Sequence, residues 1–188
     1  MLADFAQDLS WSQQPDFRRQ ELEILRHYFH GATVRTTSLQ EDMAGADYAV
    51  GYFNRVLFVD VKRRRRGASK YWANGEPEIP IEVPTDATLG DLFKIRTVSD
   101  YRLFLFSPFD CPYALLIRFA ALREAARVNL GTWTRKFKTA EQTSTHNGHI
   151  YSSRVIFVPL SELVRAGVPI EKILLNQKSS TALTAEPF

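Results

Sequence analysis

Residues 47–62 read Asp47-Tyr48-Ala49-Val50-Gly51-Tyr52-Phe53-Asn54-Arg55-Val56-Leu57-Phe58-Val59-Asp60-Val61-Lys62. The runs Tyr48–Phe53 and Val56–Val61 are rich in Val, Tyr and Phe and too short for helices, so they predict two strands. A turn at Phe53-Asn54 or at Asn54-Arg55 joins them into a β-hairpin. With Phe53-Asn54 as the loop, Tyr52 faces Arg55 and Asp47 lies opposite Asp60. With Asn54-Arg55 as the loop, Phe53 faces Val56 and Asp47 lies opposite Lys62. Both registers put Asp47, Asp60 and Lys62 on one face, because side chains alternate with period two and paired residues point the same way. A three-residue loop would turn Asp47 to the other face.

Two carboxylates and an ammonium at one end of an apolar hairpin suit a divalent cation. Mg²⁺ takes hard oxygen ligands, one or two carboxylates completed by water and substrate phosphate. Such an ion activates water and neutralises charge on a phosphodiester under attack, and a neighbouring Lys steadies the developing charge. Asp-x-Lys alone is a common tripeptide, and its bland reading is an exposed strand-end pair. Here Asp60 and Lys62 close a run that otherwise reads as buried on both faces, where charges need a partner or a metal.

These residues resemble the PD-(D/E)xK nuclease superfamily, whose pattern is a helix, a strand beginning near an Asp, and a strand ending in Asp/Glu-x-Lys. Gly45-Ala46-Asp47 stands for the first motif, with Ala46 where Pro is usual, and Asp60-Val61-Lys62 for the second. The resemblance covers about residues 16–118 and rests on few fixed residues. It implies a restriction-endonuclease-like core and hydrolysis of DNA with Mg²⁺ or Mn²⁺. Asp47 and Asp60 would be metal ligands with the Val61 carbonyl, and Lys62 would orient the water. A Glu from the first helix often joins such sites, and Glu21 is the candidate; a helix-surface Glu is more commonly a solvated charge.

Upstream, residues 1–15 read as an arm, and a helix is predicted from Asp16, capped by Asp16 after Pro15 and closed by Gly31. Phe17, Leu22, Ile24, Leu25, Tyr28 and Phe29 form its apolar stripe. Thr33–Thr37 reads as a short edge strand, and Glu41 and Asp42 as turn residues, with Asp42 also a candidate outer ligand. Downstream, residues 63–90 carry Gly67, Gly75, Pro77, Pro80, Pro84 and Gly90 and predict a long functional loop. It opens with Arg63-Arg64-Arg65-Arg66 and holds Trp72, a mix suited to phosphate contact and base stacking. The alternatives are a solvated charge run and, for Trp72, a plug over the core.

Asp100–Pro108 and Tyr113–Phe119 predict strands, the second giving way to a helix over Ala120–Val128 or forming one long helix from Tyr113. Lys136–Thr145 and Ile150–Val158 predict a hairpin turned at His146-Asn147-Gly148-His149, where the histidines read as turn residues and not as a zinc site. Ser161–Ala166 predicts a short helix, and residues 176–188 a loose tail.

The chain has 188 residues, 45% of them apolar and 24% charged, and a net charge of +3, an ordinary globular balance. The start shows no basic region followed by an apolar stretch, and no apolar run nears ~20 residues, so a cytoplasmic protein without a membrane span is expected. The single cysteine, Cys111, has no internal disulfide partner. No Gly-rich phosphate loop or paired Ser or Cys nucleophile is present.

The expected fold is a single α/β domain over residues 1–175, a central mixed sheet of about five to six strands flanked by helices, with its core at residues 16–160. The expected function is a metal-dependent deoxyribonuclease; symmetric cutting of both strands would favour a homodimer. The alternative is an inactive nuclease-like module that binds nucleic acid or serves assembly. A plain interaction domain with an acidic protein partner is a third reading.

Overall fold

The computed structural model describes residues 3–4, 14–64, 67–72, 75–84, 90–94, 97–107, 109–146 and 149–175. The first half contains β1 (Ala3–Asp4), α1 (Pro15–Tyr28), β2 (Thr33–Thr36), α2 (Leu39–Met43), β3 (Tyr48–Tyr52), β4 (Arg55–Arg63) and β5 (Glu78–Val83). The second half contains β6 (Tyr101–Leu105), β7 (Tyr113–Arg118), α3 (Phe119–Lys136), β8 (Thr139–His146), β9 (His149–Pro159), α4 (Leu160–Arg165) and β10 (Ile170–Leu174). Short 3-10 turns stand at Ala68–Tyr71 and Asp91–Phe93.

The main sheet has six strands in the order β10-β7-β6-β4-β3-β2. All its pairs are antiparallel except β4 with β6, so the sheet is mixed. The β3–β4 hairpin turns at Phe53-Asn54, with Tyr52 paired to Arg55 and Tyr48 to Val59. Phe53 adopts φ +53° at the first loop position, a conformation that costs a bulky residue and usually falls to Gly.

Alternation along the strands splits the core. On one face Ile24 and Leu25 of α1 and Phe29 at its C-terminal cap pack on Tyr48, Val50, Val59, Leu103, Leu105 and Leu116. On the other face Phe104, Phe106, Leu115 and Ile117 meet Leu122, Ala126 and Trp133 of α3. They also meet Ile79, Ile81, Ile156 and Val158 of a second, four-stranded sheet, ordered β1-β8-β9-β5. The expected mixed α/β sheet with helices on both faces is present, and the second sheet adds a layer beside α3.

Several boundaries differ from the sequence reading. α1 starts at Pro15 with Gln14 in the cap position, and Asp16 instead binds Arg19 one turn on (2.8 Å). Residues 78–83 are not loop: Glu-Ile-Pro-Ile-Glu-Val pairs with β9 as β5, and Pro80 is tolerated because β5 lies at a sheet edge. α3 runs on to Lys136 through Asn129, Gly131, Thr132 and Thr134, poor helix formers, because Trp133 is buried in the core. Ser161 does not cap α4; Pro159 precedes the helix and Ser161 is held by Glu76 (2.9 and 2.6 Å). β10 had no counterpart in the sequence reading. The tail at 176–188, most of the arm at 1–15, and Arg65, Arg66, Asn147 and Gly148 lie outside the described residues.

Candidate active site

The path into β3 places Asp47. Ser38 and Glu41 cap α2 reciprocally, the Ser38 N–H donating to Glu41 (2.7 Å) and the Glu41 N–H to Ser38 Oγ (3.4 Å). Gly45, at φ +88°, then reverses the chain, a backbone shape that favours glycine. The Asp47 N–H donates to the Val59 carbonyl (2.9 Å), and the Asp47 carboxylate accepts from the Val61 N–H (2.6 Å). Arg64 on β4's continuation donates to the Leu105 carbonyl, toward β6. The odd-numbered residues of β4 therefore turn their backbone groups toward β3, and the Val61 carbonyl faces the side on which Asp47 sits.

Asp60 is buried at the centre of a charged trio. Its Oδ1 pairs with Lys62 Nζ at 3.0 Å and its Oδ2 with Arg102 Nη2 at 2.7 Å. Arg102 lies beside Asp60 across the parallel β4–β6 ladder, and its side chain is 3% exposed. Lys62 is 42% exposed, so its ammonium stays within reach of solvent. The Arg102 contact at Oδ2 lacks hydrogen-bond geometry, which leaves lone pairs on that oxygen.

The two carboxyls titrate in opposite directions. Burial pushes Asp47 up to about 6, and the Asp60 charge adds to this, while the Val61 N–H and Lys62 pull it back. For Asp60, burial is outweighed by Lys62 and Arg102, which hold the carboxyl below the ordinary aspartate range.

Glu21, buried on α1, is bound from two sides. The Tyr48 hydroxyl donates to Oε2 (2.7 Å), and Arg63 donates to Oε1 from Nη2 (3.0 Å) and Nε (3.2 Å). Arg63 also donates to Gln20 and the Phe17 carbonyl and stacks 4.1 Å from the centre of the Phe17 ring. With its guanidinium thus committed, Arg63 pins α1 to β4. Arg64 is half-buried, over the Phe157 ring at 5.6 Å. Trp72 packs edge-to-face on Phe106 (5.4 Å) and sits against the core, which corresponds to the plug alternative.

A cleft of about 690 Å³ opens between the two sheets. Asp47, Val61, Lys62 and Glu21 line it with Arg18, Arg63, Arg64 and Arg102. A second cavity of about 300 Å³ lies on the other side of α2, lined by Asp60, Lys94 and Met43, and Lys62 and Arg102 border both spaces. Asp47 and Asp60 thus feel each other's charge but open to different cavities, with Lys62 between them. Among the described residues no three His, Cys, Asp or Glu side chains converge as a metal-binding group.

Arg102 and Tyr48 were missed at the sequence level. A lone Arg inside Tyr-Arg-Leu-Phe-Leu-Phe was the available signal, since a charge in an apolar strand requires a partner. Tyr48 offered no such signal, because its hydroxyl gains meaning only from Glu21 above it. Cys111 sits in the core, its thiol donating to the Tyr113 carbonyl (3.2 Å).

No protein-family model, curated protein or solved structure matches the chain. Among the described residues, no helix is long and apolar enough to cross a membrane.

Proposed function

We propose that the chain is a Mg²⁺- or Mn²⁺-dependent deoxyribonuclease with a restriction-endonuclease-like core. The observation that carries this reading is the nearness of Asp47, Asp60 and Lys62 at the end of the β3–β4 hairpin, where Asp47 lines a cleft rich in arginine, Asp60 lines the neighbouring cavity and Lys62 borders both. The helix, the Asp-led strand and the Asp-x-Lys strand occur in the order that the resemblance implies.

The residues fit a hard divalent ion. Two carboxylates suffice when water and phosphate complete the shell. A carboxyl that burial and a second Asp hold near 6 is one that a cation would stabilise. The Val61 carbonyl offers a further oxygen on the Asp47 side. Bound there, the ion would supply Lewis-acid activation of water and charge neutralisation at the phosphate. Asp47 and Asp60 would hold it, with Glu21 able to join only on leaving Arg63. Lys62, anchored by Asp60, would orient the attacking water and steady charge on the phosphoryl oxygens. Arg102 keeps Asp60 ionised and fixed, and so acts as a positioning residue.

A second reading has its own observation. Asp60 and Glu21 are already neutralised by Lys62, Arg102 and Arg63, as expected of a nuclease-like module that binds nucleic acid without cutting. Incubation of the purified chain with single-stranded, linear duplex and supercoiled DNA, with and without Mg²⁺ or Mn²⁺, decides between them. Metal-dependent cutting that disappears in Asp60→Ala and Lys62→Ala supports the nuclease; full activity in either variant sinks it.

A further inference from the structure

We infer, resting on the reading above, that the site takes single-stranded DNA, led between the two sheets and past α2. The second sheet bounds the cleft on the side opposite Asp47 and Lys62. Pro80 and Glu82 of β5 and Val155 of β9 stand there, and Thr36–Leu39 and α1 bound its flanks. Its volume of about 690 Å³ is that of a small-ligand pocket, room for a short nucleotide segment. A duplex, whose major groove alone spans ~12 Å, needs an open face onto which both backbones can settle. The second sheet occupies that position.

The second cavity gives the strand its direction. Lys62 and Arg102 border both spaces, and Lys94 adds a further cation beyond them. A phosphate backbone crossing Lys62 would pass from the larger space to the smaller with cations on either side. The divider between the two is α2. Its Leu39 lines the first cavity and its Met43 the second, and these side chains are 74% and 81% exposed. Apolar side chains with no burial to account for them suit contact with the base faces that a single strand leaves open.

The test uses the full chain and one labelled oligonucleotide, alone or annealed to its complement. Fluorescence anisotropy in EDTA measures binding, and Mn²⁺ is then added to follow cutting. Single strand is expected to bind about tenfold tighter than blunt duplex, and a duplex with a single-stranded overhang to be cut within the overhang. The double variant Leu39→Ser, Met43→Ser, altering exposed positions, is expected to keep its melting temperature and lose about tenfold in single-strand affinity. Blunt duplex bound as tightly and cut as fast as single strand overturns the inference and leaves the nuclease reading standing. Selective single-strand binding with no cutting under any metal does the reverse. Unchanged affinity in the double variant removes α2 from the path and overturns the inference as stated.

Discussion

At the scale of single residues, Asp47 and Asp60 are unequal in what they do to stability. The Asp47 carboxyl stands near 6 in the folded chain against an ordinary 3.8, so keeping it ionised costs on the order of 3 kcal/mol. The sign follows from the raised value. Below about 4 the group is neutral folded or unfolded and costs nothing; between about 4 and 6 the cost grows, and above that it is full. Asp47→Asn, which can still accept from the Val61 N–H, should therefore raise stability by about 1–3 kcal/mol at pH 7.5 and not at pH 4. Urea denaturation at the two pH values checks this, and equal effects at both would refute it. Asp60 has the opposite sign: its depressed value adds stability that is present above the ordinary aspartate range and lost on acidification. Its partners differ as well. Arg102→Met removes the buried one of Asp60's two counter-charges and should cost about 3–5 kcal/mol. Lys62→Met removes a half-exposed partner and should cost under ~1 kcal/mol while abolishing cleavage. A melting curve beside an activity assay separates the two variants.

Among the elements, α1 and the hairpin are joined through Glu21, Tyr48 and Arg63, and this joint alters what the arginine run means. In sequence the four arginines form one basic stretch, yet Arg63 turns inward to Glu21, its side chain 9% exposed. Arg63→Met should thus act mainly on folding, costing about 3 kcal/mol as Glu21 loses its partner, with the paired variant Arg63→Met, Glu21→Gln recovering part of it. A double-mutant cycle by chemical denaturation would show this coupling; simple additivity would deny it. The hairpin itself was legible, because two short continuous apolar runs rich in Val, Tyr and Phe, joined across Asn54, leave few alternatives, and both admissible registers put Asp47, Asp60 and Lys62 on one face. The second sheet was not legible. β5 hides among prolines that argue against a strand, and only its edge position makes Pro80 acceptable. The length of α3 was hidden for a similar reason: local propensity fails after Val128, and the burial of Trp133 outweighs it. Arg102 and Arg63 escaped because a charge's partner is a property of packing, which residue order does not contain.

For the whole molecule the testable quantity is the field along the cleft. Arg18 on α1 and Arg64 past the end of β4 both line it, from different elements and without a role in holding Asp60. If both meet phosphates, each contact releases condensed counterions, and binding must weaken as salt rises. The release per contact is about 0.7 for a single strand, so Arg18→Ala with Arg64→Ala should flatten the log–log slope by about 1.4. The loss should be alike across DNA sequences, since phosphate contacts carry no base information. At saturating DNA the double variant should cut at close to the parent rate, because Asp47, Asp60 and Lys62 are untouched. Titrations at several salt concentrations, followed by single-turnover cutting, measure both quantities on one preparation. A slope unchanged in the double variant would mean that these arginines serve the fold alone, and the nucleic-acid reading would then stand on Asp47, Asp60 and Lys62 without support from the surrounding charge.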